Sequence, residues 1–318
     1  MAITMVKNLD WNLYNQMLVR RGQITIYVEP AVLKQKDEVE RLNKGKAGRP
    51  YVYSNGLVFA AFAVKCLLRL GYRQTQGIIQ DISTKLHLDS VPNFRTIWRR
   101  IRQLKEEINF NIRPLKKGEK IELAIDSSGL KKVNDGDYRN KVYQKRRDWV
   151  KLHLSVDANT GEVITEVTTP DSISDIEKFT DLLEPVIDFT ERVYADGAYD
   201  SRYNFDYIRE HNAIPCIPVH INAVRRGNFG ARGSSIVDQF NLPLKCNGYF
   251  NDSRERRREN QRRWKKKEHY GKRWMVESTY SKFKRMFGEY VFSKKWDMIQ
   301  KEVRAKLYMY NLTLIEIT

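Results

Sequence analysis

A chain of 318 residues with 41% hydrophobic and 11% aromatic content can bury a sizeable core and form two domains, which excludes a disordered polyelectrolyte. Its 57 Lys and Arg against 39 Asp and Glu leave a formal charge of +18, which calls for a polyanionic partner, nucleic acid ahead of an anionic membrane surface. Three scattered cysteines, Cys66, Cys216 and Cys246, exclude a disulfide framework, and Cys216 with His220 supplies only two ligands of a zinc site.

The N-terminal stretch lacks the apolar core of a signal peptide, and the most apolar run, 57–70, is interrupted by Lys65 and Arg69 and is too short for a bilayer. A soluble intracellular protein without a membrane partner is expected. Residues 1–50 are polar and end in a Gly-rich loop. A helix is expected over 54–70, capped by the Ser/Asn pair at its start and stopped by Gly71. Two shorter helices are expected over 74–86 and 93–108. In the second, Phe94, Ile97, Trp98 and Ile101 line one side, while Arg95, Arg99 and Arg102 lie on another. Three compact helices ending in a basic one suggest a helix-turn-helix-like DNA-binding domain over 1–118, with Arg95 and Arg99 facing DNA; an arginine-rich helical subdomain gives the same pattern.

After Gly118 the texture turns to strands. A short apolar strand over 121–126 ends at Asp126, and 150–157 alternates strictly before a turn at 158–161 and a second strand over 162–169, a hairpin. Helical spacing follows over 173–187, a strand over 192–195 ending at Asp196, a helix over 200–210 and a strand over 213–217. Residues 221–268 read as a loop-rich basic insertion, followed by helices over 270–286 and 297–312. This order is that of an α/β, ribonuclease H-like catalytic core, a mixed sheet with flanking helices, over 119–318.

Two features carry chemistry. The first is the run Arg254–Lys267, part of a C-terminal segment (250–318) with 19 Lys and Arg against 9 Asp and Glu; Arg262, Arg263 and Lys265 are its candidate DNA contacts. The second follows it: at about 100° per residue, Tyr270, Arg273, Glu277 and Lys284 share one helical face, a carboxylate among cations. If the strands ending at Asp126 and Asp196 are parallel neighbours, both carboxylates emerge at one sheet edge, where Glu277 makes a third. Three carboxylates without Cys or His suit Mg²⁺ or Mn²⁺, and two such ions can assist in-line displacement at phosphorus. Trp264 and Trp274 are candidates to stack on a base or to pack in the core.

These residues resemble the DDE transposases of prokaryotic insertion sequences, in the group with a YREK signature. Tyr270, Arg273, Glu277 and Lys284 meet Tyr-x2-Arg-x3-Glu-x6-Lys in full. Ile125-Asp-Ser-Ser-Gly-Leu130 and Ala195-Asp-Gly-Ala-Tyr-Asp200 are similar to the two aspartate blocks, and the run from Lys145 to Asp157 to the block between them. Asp10-Trp-Asn-Leu-Tyr-Asn15, Ala47-Gly-Arg-Pro-Tyr-Val-Tyr-Ser54 and Leu70-Gly-Tyr-Arg-Gln-Thr-Gln-Gly77 extend the likeness over nearly the whole chain; Ser128 stands where threonine is expected. The resemblance implies catalytic, metal-holding Asp126, Asp196 and Glu277, with Tyr270, Arg273 and Lys284 on DNA. It implies cleavage at terminal inverted repeats, 3′-hydroxyl transfer to target double-stranded DNA, a homodimer on DNA and a cytoplasmic, nucleoid-associated place in a prokaryotic cell. A nuclease that cleaves without joining, and a non-catalytic repressor, are the alternatives.

Overall fold

The computed structural model describes residues 12, 15, 16, 18, 19, 22–104, 115, 118–133, 149–224, 230–242 and 253–314. Most of the Asp10–Asn15 motif, the 105–108 end of the third expected helix, Lys145–Asp148, Cys246 and parts of the expected insertion lie outside the described residues. The chain forms two units, Met1–Ile112 with Ser293–Thr318, and Arg113–Phe292. Among the described residues no single helix is long and apolar enough to cross a membrane.

In the first unit, α1 (Glu29–Leu33) and α2 (Gln35–Asn43) lead to α3 (Asn55–Leu68), which is buried on every side from Leu57 to Val64, as a central helix must be. The Ser54 hydroxyl caps it by accepting the Leu57 amide at 2.9 Å. Its left-handed terminator is Arg69 (φ 54°), not Gly71, which instead precedes α4 (Tyr72–Ser83). Helix α5 (Phe94–Gln103) is capped by Asn93, whose side chain accepts the Thr96 amide at 2.8 Å. Its buried stripe is Ile97, Arg100 and Ile101, while Trp98, expected among the apolar positions, is 46% exposed. Arg100 is buried because its guanidinium donates to the Tyr53 carbonyl and the Asn55 side chain and lies 4.7 Å from the Tyr51 ring centre.

The C-terminal helix Trp296–Leu312, grouped with the catalytic half by its place in the sequence, packs on α3. It is buried almost all round, including a Lys306–Glu302 pair at 2.8 Å whose side chains are 1% and 3% exposed. An expected division of the chain at residue 118 overlooks this return, since a buried charged pair reads as surface in sequence.

The second unit is built on a six-stranded mixed sheet of order β3-β2-β1-β4-β5, with the two-residue β6 (Tyr290–Val291) added to the far end of β1. Strands β1 (Ile121–Lys132), β2 (Trp149–Asp157) and β3 (Val163–Pro170) are antiparallel, and β4 (Thr190–Tyr194) and β5 (Ile214–Cys216) run parallel to β1. Strand β1 does not stop at Asp126 as expected: Ser127 to Lys131 continue the ladder opposite His153 to Trp149. The helix expected over 173–187 is broken into a 3-10 turn, the short α6 (Phe179–Leu183) and a second 3-10 turn, with Pro185 between them removing an amide donor. One face of the sheet, with Leu123, Ile125 and Val193, is covered by α6 and α7 (Arg202–Glu210) through Phe179, Leu182, Phe205 and Ile208.

The expected loop-rich insertion contains two helices, α8 (Ala231–Phe240) and α9 (Arg254–Lys267). Polar side chains fasten them. Buried Gln239 accepts the Val219 amide at 2.9 Å and donates to the Ile217 carbonyl at 2.7 Å. Arg257 donates to the carbonyls of Ile221 and Ala223, both at 3.2 Å. Arg232 holds Asp200 through two hydrogen bonds of 2.6 and 2.8 Å.

Candidate active site

Between antiparallel β2 and parallel β4, β1 is the strand where the sheet changes direction, and ligand sites favour such a switch point. The last parallel pair is Ala124 with Tyr194. Asp126 and Asp196 each lie two residues further on, so residue alternation sends both side chains to the sheet face opposite Leu123 and Val193. One oxygen of each is fixed by a nearby amide: Ser127 N–H donates to Asp126 Oδ1 and Ala198 N–H to Asp196 Oδ1, both at 2.8 Å.

On that face lies α10 (Trp274–Phe287), which buries Val276, Thr279, Tyr280, Phe283 and Phe287 and packs on β1 and β2. Residues Tyr270–Arg273 before it form a 3-10 turn, so they do not share one α-helix with Glu277 as expected. Tyr270 and Arg273 nevertheless coincide, because residues three apart eclipse at three per turn; the guanidinium lies 6.0 Å from the Tyr270 ring centre.

The segment is anchored at several points. Tyr280 Oη donates to the carbonyls of Asp126 (2.9 Å) and Leu152 (2.8 Å), and Thr279 to that of Gly161 at 3.3 Å. Tyr270 Oη donates to the carbonyl of Ala195 at 3.1 Å, next to Asp196. Lys272 pairs with Glu122 and, at 3.0 Å, with Asn159 of the β2–β3 turn, and Arg192 of β4 pairs with Glu268 at 2.7 Å. These bonds set the position of Glu277 relative to both aspartates.

Arg273 pairs with Glu277 Oε1 and lies 3.5 Å from Asp126 Oδ2, joining two of the three carboxylates. Burial raises the Asp126 carboxyl, and the charges of Asp196 and Glu277 push it further up, while the Ser127 amide and Arg273 pull it down. The three carboxylates thus share one electrostatic site. Among the described residues, however, no group of three or more Asp, Glu, His or Cys side chains is gathered to metal-ligand spacing. Burial raises the phenols of Tyr199 and Tyr280, and the charges of neighbouring carboxylates, Asp126 among them, add to it.

The remaining expected contacts divide. Lys284, partly exposed, lies two turns from Glu277 on α10. Lys265 lies 5.1 Å from the centre of the Tyr270 ring, and burial followed by the charge of Arg273 lowers its ammonium. Arg262 and Arg263 are exposed and share Glu259 within α9 at 3.8 and 3.2 Å. Trp264 is core, 5% exposed against Tyr270, whereas Trp274 is 64% exposed. In the first unit, Arg95 and Arg99 are exposed on α5, and Arg95 with Tyr72, Arg73, Phe94 and Trp98 lines a groove of about 560 Å³. Tyr280 is a site residue that pattern alone does not reveal; its only sequence signal is a helical phase three residues after Glu277, shared with any core aromatic.

Residues 117–312 match the family model described as a transposase DDE domain, and residues 19–135 match a second model with the same description. The chain belongs to the DDE transposase family. The transposase also resembles, at 11% identity and a TM-score of 0.40 over 92% of this chain and 74% of the other, a cryo-EM structure of the piggyBac transposase synaptic complex with hairpin DNA.

Proposed function

We propose that this transposase cleaves DNA at the terminal inverted repeats of an insertion sequence and joins the freed 3′-hydroxyl to target DNA. The carrying observation is the matched placement of Asp126 and Asp196 beyond the Ala124–Tyr194 pair, with Glu277 tied to Asp126 through Arg273. The strand order β3-β2-β1-β4-β5 supports reading the second unit as ribonuclease H-like. The donor set fits a hard divalent cation: it is all carboxylate, and a side-chain cation already lies against two of its members. Asp126, Asp196 and Glu277 would hold Mg²⁺ or Mn²⁺, which when bound supply Lewis acidity to the attacking and leaving oxygens of a phosphodiester.

The chain's own residues do the rest. Ser127 and Ala198 amides orient one oxygen of each aspartate, Tyr280 fixes α10 against β1, and Tyr270 holds the carbonyl beside Asp196. Arg273 and Lys284 face the phosphates flanking the cleaved bond. Exposed Arg95 and Arg99, beside an aromatic groove, support DNA binding by the first unit; residues 84–93 between α4 and α5 exceed the three- or four-residue turn of a helix-turn-helix. Two ends must be brought together, so the active species on DNA is a homodimer. The test is an assay of oligonucleotide ends with plasmid target and Mg²⁺. Joined products support the proposal; cleavage without joining reduces the protein to a nuclease, and binding alone to a repressor.

A further inference from the structure

We infer that Arg273 is a resident counter-ion of the carboxylate site and that DNA displaces it, so that metal loading is coupled to DNA binding. This rests on the proposed roles of Asp126, Asp196 and Glu277.

The oxygens of Asp126 are both engaged: Oδ1 accepts the Ser127 amide at 2.8 Å, and Oδ2 faces Arg273 at 3.5 Å. Glu277 Oε1 is engaged by the same guanidinium. Asp196 differs: Oδ1 accepts the Ala198 amide, and Oδ2 has no hydrogen-bond partner among the described residues. A divalent cation shared by these residues must therefore compete with Arg273 for Asp126 Oδ2 and Glu277 Oε1. Arg273 is well placed to yield. It is the last residue of a 3-10 turn, with its side chain 21% exposed, and the same stem can aim its fork at a phosphate, whose geometry a guanidinium matches in two hydrogen bonds. Its neighbour Tyr270 is held to Ala195 and Lys272 to Glu122, so the turn stays fixed while the Arg273 side chain exchanges partners.

The exchange makes the two ligands cooperative. Phosphate that attracts Arg273 frees two carboxylates for metal, and by linkage metal that expels Arg273 offers it to phosphate.

Titration of the full chain with Mn²⁺, followed by the electron paramagnetic resonance signal of free Mn²⁺, tests the coupling with and without a short duplex at low salt. For the unsubstituted protein, duplex is expected to tighten Mn²⁺ binding roughly tenfold. Arg273→Gln is expected to bind Mn²⁺ roughly tenfold tighter than the unsubstituted protein without DNA, and to gain little from duplex. Arg273→Lys, which keeps a cation beside the carboxylates, stays near the unsubstituted protein in the DNA-free titration, separating charge from misfolding. If Arg273→Gln binds Mn²⁺ no tighter without DNA, or keeps the full gain from duplex, the coupling is overturned. Asp126→Asn reports on the underlying reading: undiminished Mn²⁺ binding in both conditions overturns the carboxylate site itself.

Discussion

Asp126 and Asp196 each lie two residues beyond the last paired positions of parallel strands β1 and β4, Ala124 and Tyr194. Sequence separation is irrelevant to that match; the register creates it. The two aspartates advance together, so a one-residue slip of either strand would turn one carboxylate to the opposite face.

Replacing a carboxylate by its amide keeps shape and removes charge. Asp126→Asn, Asp196→Asn and Glu277→Gln are each expected to reduce Mg²⁺-dependent cleavage to background while leaving duplex binding, by gel shift without divalent metal, within about twofold, because most affinity for DNA comes from cations elsewhere. A variant that keeps near-normal cleavage removes its residue from the catalytic set.

Tyr280 bridges two strand carbonyls from the helix that carries Glu277. Tyr280→Phe is expected to cost about 1–3 kcal/mol in urea unfolding, since buried acceptors lose their donor. It is also expected to lower kcat for cleavage with little change in KM for DNA, as the carboxylate it positions drifts. Unchanged kcat would limit Tyr280 to stability.

Gly129 lies under the Trp149 ring, where an added Cβ would approach Cε3 to 2.9 Å. Gly129→Ala is expected to destabilise the protein by about 1–3 kcal/mol through overpacking. Adding Trp149→Leu should restore part of the loss; a thermal-unfolding cycle in which the two changes simply add would refute the clash.

The cations of α9 are not equivalent. Replacing exposed Arg254, Arg258, Arg262 and Arg263 by Gln is expected to flatten the dependence of log K on log salt by about 0.9 for each DNA phosphate that is no longer neutralised. Buried Arg257, bonded to two carbonyls, should behave oppositely: Arg257→Met costs about 1–3 kcal/mol of stability. An unchanged salt slope in the fourfold variant makes α9 a merely solvated face.

His153, fully buried, donates or accepts at Thr169 Oγ1 (3.0 Å) and faces Asp175 at 3.5 Å; burial lowers its imidazole to about 4 against an ordinary 6.5, partly opposed by the Asp175 charge. The unfolded chain therefore binds a proton between those values that the folded chain refuses. Its contribution to stability is fully present above pH 6.5 and is lost as pH falls to about 4, by no more than about 3 kcal/mol. His153→Gln should show a shallower acid limb in urea unfolding at stepped pH; an identical limb would exclude His153 as its source.

The hairpin, the parallel strands and the acidic positions are legible in the sequence because alternation and apolar runs mark strands directly: 150–157 and 162–169 match β2 and β3 closely. The region 221–268 is illegible as helix because its fastening residues are Gln239, Arg257, Asn260 and Gln261, polar side chains that satisfy backbone groups and leave no apolar period to read. Trp98, expected on the apolar side, is exposed while Arg100 is buried for a related reason: Tyr53 and Asn55, distant in sequence, supply the acceptors that make arginine the buried residue. At the site, spacing places Arg273 and Glu277 together and the family resemblance assigns the guanidinium to DNA, but which acid it meets first depends on Asp126, 147 residues away.

The return of the last helix to α3 has a consequence for synthesis. A growing chain exposes α3, apolar around its whole circumference, long before Trp296–Leu312 leaves the ribosome, with the entire second unit made in between. The half of the molecule begun first is thus finished last, and a message cut short after Phe292 yields a complete second unit joined to an α3 that lacks one side of its cover.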